Sequence, residues 1–157
     1  MFEGIIERLK KLSEIDENQL MYNALQDAKL QAQIIDLNQK QLLMGKGMDG
    51  EDLPRYIDDP FFKTPKAAMA YQAWKSKISP NPEKNPEVMD FFINGQFHNT
   101  ISIRNNNDNF EMISNSSIKN DVQNKTNNEV LGLTEESIEE ITPAIVELMI
   151  EQVKELL

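Results

Sequence analysis

VMDFFINGQFHNTISIR, residues 88–104, decides the fold class together with FEMIS at 110–114. The first stretch opens with an apolar segment typical of a strand, continues through an Asn-Gly pair typical of a turn and one helical turn, and ends in a second strand. In that strand Ile101 and Ile103 alternate with polar residues, so one face is expected to be buried. FEMIS is expected to pair back on it after an Asn-rich turn. The pattern predicts a small antiparallel sheet over 88–114.

Helical patterns precede this segment. In the first twelve residues the apolar side chains follow the i, i+3, i+4, i+7 spacing of one helix face. They are Phe2, Ile5, Ile6, Leu9 and Leu12. After a break near Ser13, a second helix of about 20 residues, roughly 30 Å long and lined with alanine on one face, completes the N-terminal helices of 1–38. Thr64-Pro65 predicts the start of a middle helix over 64–79.

The segment QLLMGKGMDGEDLPRYI, residues 41–57, interrupts the helical spacing with glycines. An Asp-Gly pair between apolar stretches is a hairpin signal. We therefore predict a projecting β-hairpin over 39–57, with its turn near Asp49–Glu51.

Asparagine dominates the segment that follows the predicted sheet. Nine of the 24 residues in 105–128 are asparagine, a composition that favours turns and caps over a packed core. We expect the Asn-rich segment, 115–133, to lack a core of its own and to become ordered in part against a neighbouring molecule.

The C-terminal segment is predicted to be a helical arm over 134–157. Thr134 is a good N-cap, and the two glutamates after it suit the helix dipole. Pro143 lies inside the pattern and predicts either a kink or two helices, about 135–141 and 143–156. One apolar stripe contains Ile138, Ile141, Ile145, Leu148, Met149, Val153 and Leu156.

These elements predict an α+β fold in one domain spanning 1–157. A small antiparallel sheet with a projecting hairpin is expected to be packed by a long N-terminal helix, the middle helix and the C-terminal helices. With 39% apolar residues, a chain of this length can bury one core. The aromatic side chains are expected to form a core between a helix and the sheet. A cofactor-binding site lined by them is the less favoured interpretation. They are Phe61, Phe62, Tyr71, Trp74, Phe91, Phe92 and Phe97.

Charge and composition exclude several classes of function. The net charge is -10, and residues 129–157 carry one basic and eight acidic side chains. Such a chain has no basic cluster to neutralise phosphates, so it is expected to bind nucleic acid poorly. There is no cysteine, which excludes disulfides and thiolate chemistry. No stretch is apolar and long enough to cross a bilayer, and the N-terminus does not resemble a signal peptide, so we expect a soluble protein made in the cytosol.

Residues that could carry chemistry are few. His98 is the single histidine, so a two-histidine metal site is impossible, and no serine lies in a nucleophile elbow. The carboxylates of 49–52 lack calcium-loop spacing, and solvation of a hairpin tip explains them better. A hydrolase that uses Asp58 and Asp59 is the weakest alternative that we retain. We expect no enzymatic activity, catalytic residue, cofactor or metal.

Four short motifs lie within about residues 34–140. The first two are Ile35-Asp36-Leu37-Asn38 with Gln41-Leu42, and Gly47-Met48-Asp49-Gly50 with Leu53 and Tyr56. The other two are Asn94-Gly95-Gln96-Phe97 with Thr100-Ile101, and Gly132-Leu133-Thr134-Glu135. In this order the motifs resemble the head-to-tail connector or tail-completion proteins of tailed bacteriophages, in the form found in phages and prophages of Bacteroides-like hosts.

The resemblance implies a non-enzymatic structural virion protein, assembled in the host cytoplasm and located in the neck. It would form a homo-oligomeric ring, six- or twelve-fold, that joins the portal and head to the tail and contacts portal or other neck and tail proteins. DNA would pass through its channel without specific binding, and no membrane is involved. The expected subunit contacts are Lys46, Met48, Asp49, Gly50, Leu53, Tyr56, Ile145, Met149 and Val153. The alternative is a small acidic inhibitory protein of a phage that mimics DNA.

Overall fold

A computed structural model describes residues 2–106, 109–127 and 129–157. Over these residues the chain forms seven α-helices, a single 3₁₀ turn and a two-stranded antiparallel sheet, which confirms the predicted α+β class. The helices are α1 (Glu3–Ser13), α2 (Glu17–Leu25), α3 (Ala28–Leu43), α4 (Pro65–Ile78), α5 (Gln96–Asn99), α6 (Lys119–Lys125) and α7 (Glu135–Leu156). The 3₁₀ turn is Tyr56–Asp58, and the strands are β1 (Ile101–Asn106) and β2 (Asn109–Ser114).

The sheet pairs the strands that the alternation of residues predicted. Ile101 lies opposite Ser114, and Asn106 lies opposite Asn109. Of the predicted turn at 105–109, positions 107 and 108 lie outside the described residues, and the other three residues belong to the strands. The apolar segment 88–93, predicted as a further strand, is not one: Val88 forms only an isolated bridge to Arg55. Extended pairing ends there because Phe91 adopts a positive φ of 57°, which no regular strand accommodates.

The single long helix predicted after Ser13 is wrong, because the chain forms two helices there. α2 ends at Leu25, and Asp27 begins α3 by accepting a hydrogen bond from the Leu30 backbone N–H at 2.8 Å. The Gln31 side chain donates to the Leu25 carbonyl at 2.8 Å and so satisfies the end of α2. An aspartate cap inside a helical pattern can therefore split a helix without disturbing the apolar spacing.

The predicted hairpin over 39–57 is instead the end of α3 followed by a compact loop. α3 continues to Leu43, and one isolated antiparallel bridge, Lys46 to Asp52, closes the loop. The turn lies where it was predicted, since the Gly50 N–H donates to the Gly47 carbonyl at 3.0 Å. The loop packs back on the domain, because the Met48 N–H donates to the carbonyl of Glu129 at 2.8 Å.

Two apolar clusters form the core. The larger joins α3, the 45–53 loop, β1, α5 and the segment after α6, and its buried members are Leu42, Leu53, Val88, Phe97, Ile101, Val122 and Val130. The smaller packs α3 against α7 through Leu30, Ile34 and Ile141. Val122 and Val130 show that the expectation of a coreless Asn-rich segment is wrong for its described residues; Asn128 lies outside them. The partly buried Leu131 packs against the same cluster, and Leu133 packs against the smaller one, so several apolar side chains connect this polar segment to the core.

α7 runs through Pro143 as one helix, so the prediction of two separate helices is wrong. A proline removes one backbone hydrogen bond and leaves the carbonyl four residues earlier, that of Glu139, without its helical donor. Both Pro143 and Glu139 are exposed, so solvent can hydrogen bond to that carbonyl. In the preceding turn the Thr142 hydroxyl donates to the Ile138 carbonyl at 2.6 Å.

Candidate interaction surfaces

α1 is amphipathic, and its apolar stripe lies in solvent. None of its eleven residues, all of them described, is buried. The stripe consists of Phe2, Ile5, Ile6, Leu9 and Leu12, which are 41–68% exposed. At 100° per residue, Arg8 lies along one edge of this stripe and Lys10 along the other. Glu7 and Lys11 pair at 3.6 Å on the opposite face. The α1 stripe is therefore an apolar surface bordered by Arg8 on one edge and by Lys10, with Glu3 close to it, on the other.

α7 carries a second apolar surface beside the face that packs into the core. Its inner face contributes Ile141, with Ile145 and Leu148 packed against the same cluster. Further along, the Gln152 amide donates to the Leu20 carbonyl at 2.9 Å and joins α7 to α2. The outer stripe contains Val146 and Ile150, which are exposed, Met149 and Val153, which are half-buried, and the terminal Leu157, which is exposed.

A third apolar surface is concave. It is a cavity of about 290 Å³ between the segment after the 3₁₀ turn, α4, the 89–93 loop and α6. We call it the aromatic groove; its apolar lining is Phe61, Phe62, Tyr71, Met89, Phe91, Ile93 and Ile118. Phe61 and Phe62 meet edge to face with ring centroids 5.3 Å apart, and Phe62 lies 5.1 Å from Tyr71. Phe61 is 76% exposed and Ile93 is 52% exposed, so much of this apolar surface meets solvent.

The aromatic groove corrects the expectation that the aromatic residues form a helix-on-sheet core. Of the predicted aromatics, Phe97 is buried in the core at 1% exposed, and the partly buried Phe91 packs against the same cluster. Trp74 is exposed on α4, with its ring 5.4 Å from that of Tyr71. The strands pack against α3 and α7 through Ile103 and Met112, and Phe97 is the predicted aromatic buried in one cluster with Ile101 of β1.

Acidic side chains line one side of the groove. Lys125 pairs with Asp59 at 2.9 Å and with Asp121 at 3.2 Å, so two carboxylates share one ammonium group. Burial opposes ionisation of Asp59, but the hydrogen bonds from Lys125 and the Phe61 N–H, together with the charge of Lys125, outweigh it and lower the pKa of this carboxyl. The neighbouring Asp58 instead pairs with Arg55 at 2.9 Å. Asp58 and Asp59 thus have different cationic partners, which argues against the carboxylate-pair hydrolase.

Charged side chains are buried where α4 meets the 84–98 segment. The ammonium group of Lys75 lies 2.8 Å from an Asp90 oxygen and also donates to the Phe92 carbonyl. The Ser79 hydroxyl donates to the other Asp90 oxygen at 2.5 Å. Burial alone would raise the pKa of Asp90, but these hydrogen bonds, with one from the Phe92 N–H, lower it. Asp90 therefore remains ionised and connects α4 to the loop.

Three more polar side chains complete this buried polar cluster. Lys84 donates to the carbonyls of Asn85 and Val88, and burial lowers its pKa. His98, 3% exposed on α5, has no hydrogen-bond partner for either ring nitrogen within the described part of the chain. Burial lowers the pKa of His98 to about 4, so the ring is neutral at pH 7. The Tyr56 hydroxyl is also buried without a hydrogen-bond partner among the described residues.

The expected subunit contacts in the 46–56 segment differ in accessibility. Met48, Asp49 and Gly50 are exposed, and half-buried Lys46 pairs with Asp52 at 2.7 Å. Leu53 and Tyr56 are 4% and 5% exposed. Because these two side chains pack inside the chain, their assignment as contacts with another copy is corrected.

The buried ion pair of Lys75 and Asp90 was not predicted from the sequence. One signal was available: Asp90 interrupts the apolar run VMDFFI, and a lone acid in an apolar segment needs a cationic partner if the segment is buried. No sequence signal identifies Lys75 as that partner, since the two residues lie fifteen positions apart.

Within the described ranges, no group of three or more acidic, histidine or cysteine side chains is placed to hold a metal ion. No helix formed by those residues has the length and apolar character to cross a membrane. Comparison of the chain with protein-family models, with curated proteins and with solved structures finds no match.

Proposed function

We propose that this protein is a structural subunit that self-associates into a ring in the neck of a tailed bacteriophage, joining the portal and head to the tail. The four short motifs that resemble connector proteins support the neck assignment. The exposed α1 stripe supports self-association, and it is the main observation on which the proposal rests.

The α1 stripe supports assembly because large apolar side chains on one helix face favour a partner. Each buried side chain of this size contributes about 1.5–3 kcal/mol, so covering the five apolar side chains of α1 would favour association strongly. The groove and the outer face of α7 are further apolar patches on the same chain. Surfaces of this kind on a small domain are typical of interaction sites.

The charge of the chain suits a DNA channel. With a net charge of -10, a ring of these subunits would repel the DNA backbone and leave the genome free to slide. We therefore expect no tight DNA binding at physiological salt.

Electron imaging of the purified protein, together with mass photometry over a range of concentrations, tests the proposal. Closed rings of about six or twelve copies are the expected result. Monomers at every concentration, both alone and with portal and tail particles added, would contradict it.

A small acidic inhibitor is the second candidate. The observation that favours it is an exposed acidic row on α7, on a face separate from the outer apolar stripe, formed by Glu136, Glu140, Glu147 and Glu151. A row of carboxylates can imitate the phosphates of DNA in the basic groove of an enzyme. Tight, salt-sensitive binding of monomeric protein to a DNA-binding enzyme would favour this candidate over the ring.

A further inference from the structure

Two of the exposed apolar surfaces are complementary in shape. The α1 stripe is convex and presents side chains at i, i+3, i+4, i+7 and i+10 over about 15 Å of helix. The aromatic groove is concave and lined by apolar side chains of which several are exposed. An amphipathic helix that places spaced apolar anchors in an apolar groove is a recurring mode of protein recognition.

The charges around the two surfaces are also complementary. Arg8 and Lys10 border the α1 stripe with positive charge. Asp59, Asp121 and Lys125 beside the groove carry one net negative charge, and the fourth charged lining residue, Lys75, is neutralised by Asp90. Opposite signs at the rims steer the two surfaces together and disfavour contacts between two copies of the same surface. Glutamates beside the outer stripe of α7 would also attract the basic side chains of α1, but that stripe is the convex surface of a helix and offers no groove for spaced anchors.

The two surfaces belong to different parts of the chain. The C-terminal end of α1 shares a depression with the end of α7, where Lys11 and Glu14 lie with Gln152 and Leu156. That depression and the aromatic groove have no lining residue in common among the described residues.

We infer that α1 of one copy of this chain docks in the aromatic groove of a second copy. Leu9, at the centre of the stripe, is the main anchor, and Phe61 and Ile93 cover its sides. The contact is heterologous, because each copy offers α1 to one neighbour and the groove to another. Repetition of a heterologous contact closes a ring if its rotation allows. The inference therefore rests on the proposed function and names the surfaces that make the ring.

Because the chain contains no cysteine, engineered single cysteines can locate the contact. The full-length Leu12→Cys and Ile93→Cys variants are mixed and treated with a short bis-maleimide. A mixed cross-linked dimer, in excess of the products of either variant alone, is expected. Glu7→Cys on the opposite face of α1 is the matched control and should give little product with Ile93→Cys. Preferential cross-linking of Leu12→Cys to Ile150→Cys on α7 would overturn the inference.

A charge placed in the stripe tests the same contact in solution. Leu9→Glu should weaken self-association about a hundredfold, the loss expected when one large apolar anchor is replaced by a charge that must be desolvated. Lys11→Gln changes the net charge by the same amount on the polar face and should leave association nearly unchanged. Circular dichroism and the unfolding midpoint, measured at low protein concentration, should show that both variants fold.

The possible outcomes separate the inference from the proposed function. If Leu9→Glu assembles as the unaltered chain does, the inference is wrong while the ring stands. If the unaltered chain forms no assembly under any condition, both are wrong. Binding to vesicles of anionic phospholipid that Leu9→Glu abolishes, without any mixed cross-link, would assign α1 to a lipid surface and also overturn the inference.

Discussion

α1 and the 84–98 segment reverse the usual relation between residue type and burial. α1 holds five large apolar side chains in solvent, whereas the 84–98 segment and α4 bury Lys75, Lys84, Asp90 and His98. The apolar side chains of α1 are exposed, while Lys75 and Asp90 pair across two elements and Lys84 donates to backbone carbonyls of its own segment. The difference teaches that burial follows the partners that the fold supplies, and that the hydropathy of a segment alone does not determine it.

The largest expected effect comes from breaking the buried ion pair. Lys75→Met leaves the Asp90 carboxylate buried without its cation, and removal of one partner from a buried pair costs about 3–5 kcal/mol. Urea unfolding at pH 7 measures the loss. Lys40→Met is the matched control, because it breaks an exposed pair with Asp36, 2.7 Å apart, and should leave the unfolding midpoint nearly unchanged. Equal effects of the two variants would show that the buried pair does not stabilise the fold.

A core leucine shows how much a fully buried apolar side chain contributes to the stability of the fold. Leu42 is fully buried in the larger cluster, and Leu42→Ala removes its methyl groups and leaves a cavity. The expected loss in the free energy of unfolding is about 2–5 kcal/mol. Denaturant unfolding at a concentration where the chain is monomeric provides the value. A loss below 1 kcal/mol would mean that the cluster around Leu42 is loosely packed.

Acid should weaken the fold through His98. The unfolded chain binds a proton at the ordinary pKa of 6.5, whereas burial lowers the pKa in the folded state to about 4. This contribution to stability is therefore complete above pH 6.5 and declines as the pH falls toward 4, by up to about 3 kcal/mol. Asp90, whose pKa is lowered from 3.8, acts only at lower pH.

The decline should be absent from His98→Asn, which cannot take up the proton. Urea unfolding of both proteins at pH 7, 6, 5 and 4.5 gives the two pH dependences. Parallel curves for the variant and the unaltered protein would show that titratable groups other than His98 cause the loss of stability in acid.

The smallest expected effect belongs to α1. Leu9→Ala makes the same chemical change as Leu42→Ala, but at a side chain that is 58% exposed. The free energy of unfolding of the monomer should change by about 0.5 kcal/mol or less. The same variant should weaken self-association, measured by sedimentation velocity. A large loss of monomer stability would mean that α1 packs on its own chain in solution.

Local chemistry accounts for the elements that the sequence predicted. Thr64 and Thr134 cap α4 and α7 as their positions indicated, since each hydroxyl accepts a backbone N–H three residues later. The alternation of Ile101 and Ile103 likewise determined the strand pair. These features were predictable because they depend only on neighbours within a few residues.

Long-range partners account for the errors about burial, whereas the split between α2 and α3 depends on the local cap at Asp27. Leu53 was expected on a projecting hairpin and Phe61 in the core, but the first is buried and the second is exposed. Both residues are apolar in a polar context, and nothing in their own segments reveals whether another segment covers them. Lys75 and Asp90 illustrate the same limit for charged residues, because their pairing joins α4 to a distant loop.

The sequence by itself determined the helix boundaries set by caps, the strand pair, the acidic charge and the amphipathic stripe of α1. The tertiary structure alone decided which apolar faces are covered, which charges are buried and where the aromatic side chains form a groove. The physical reason is one of range: caps and alternation act through hydrogen bonds within a few residues, whereas burial requires surfaces brought together from far along the chain.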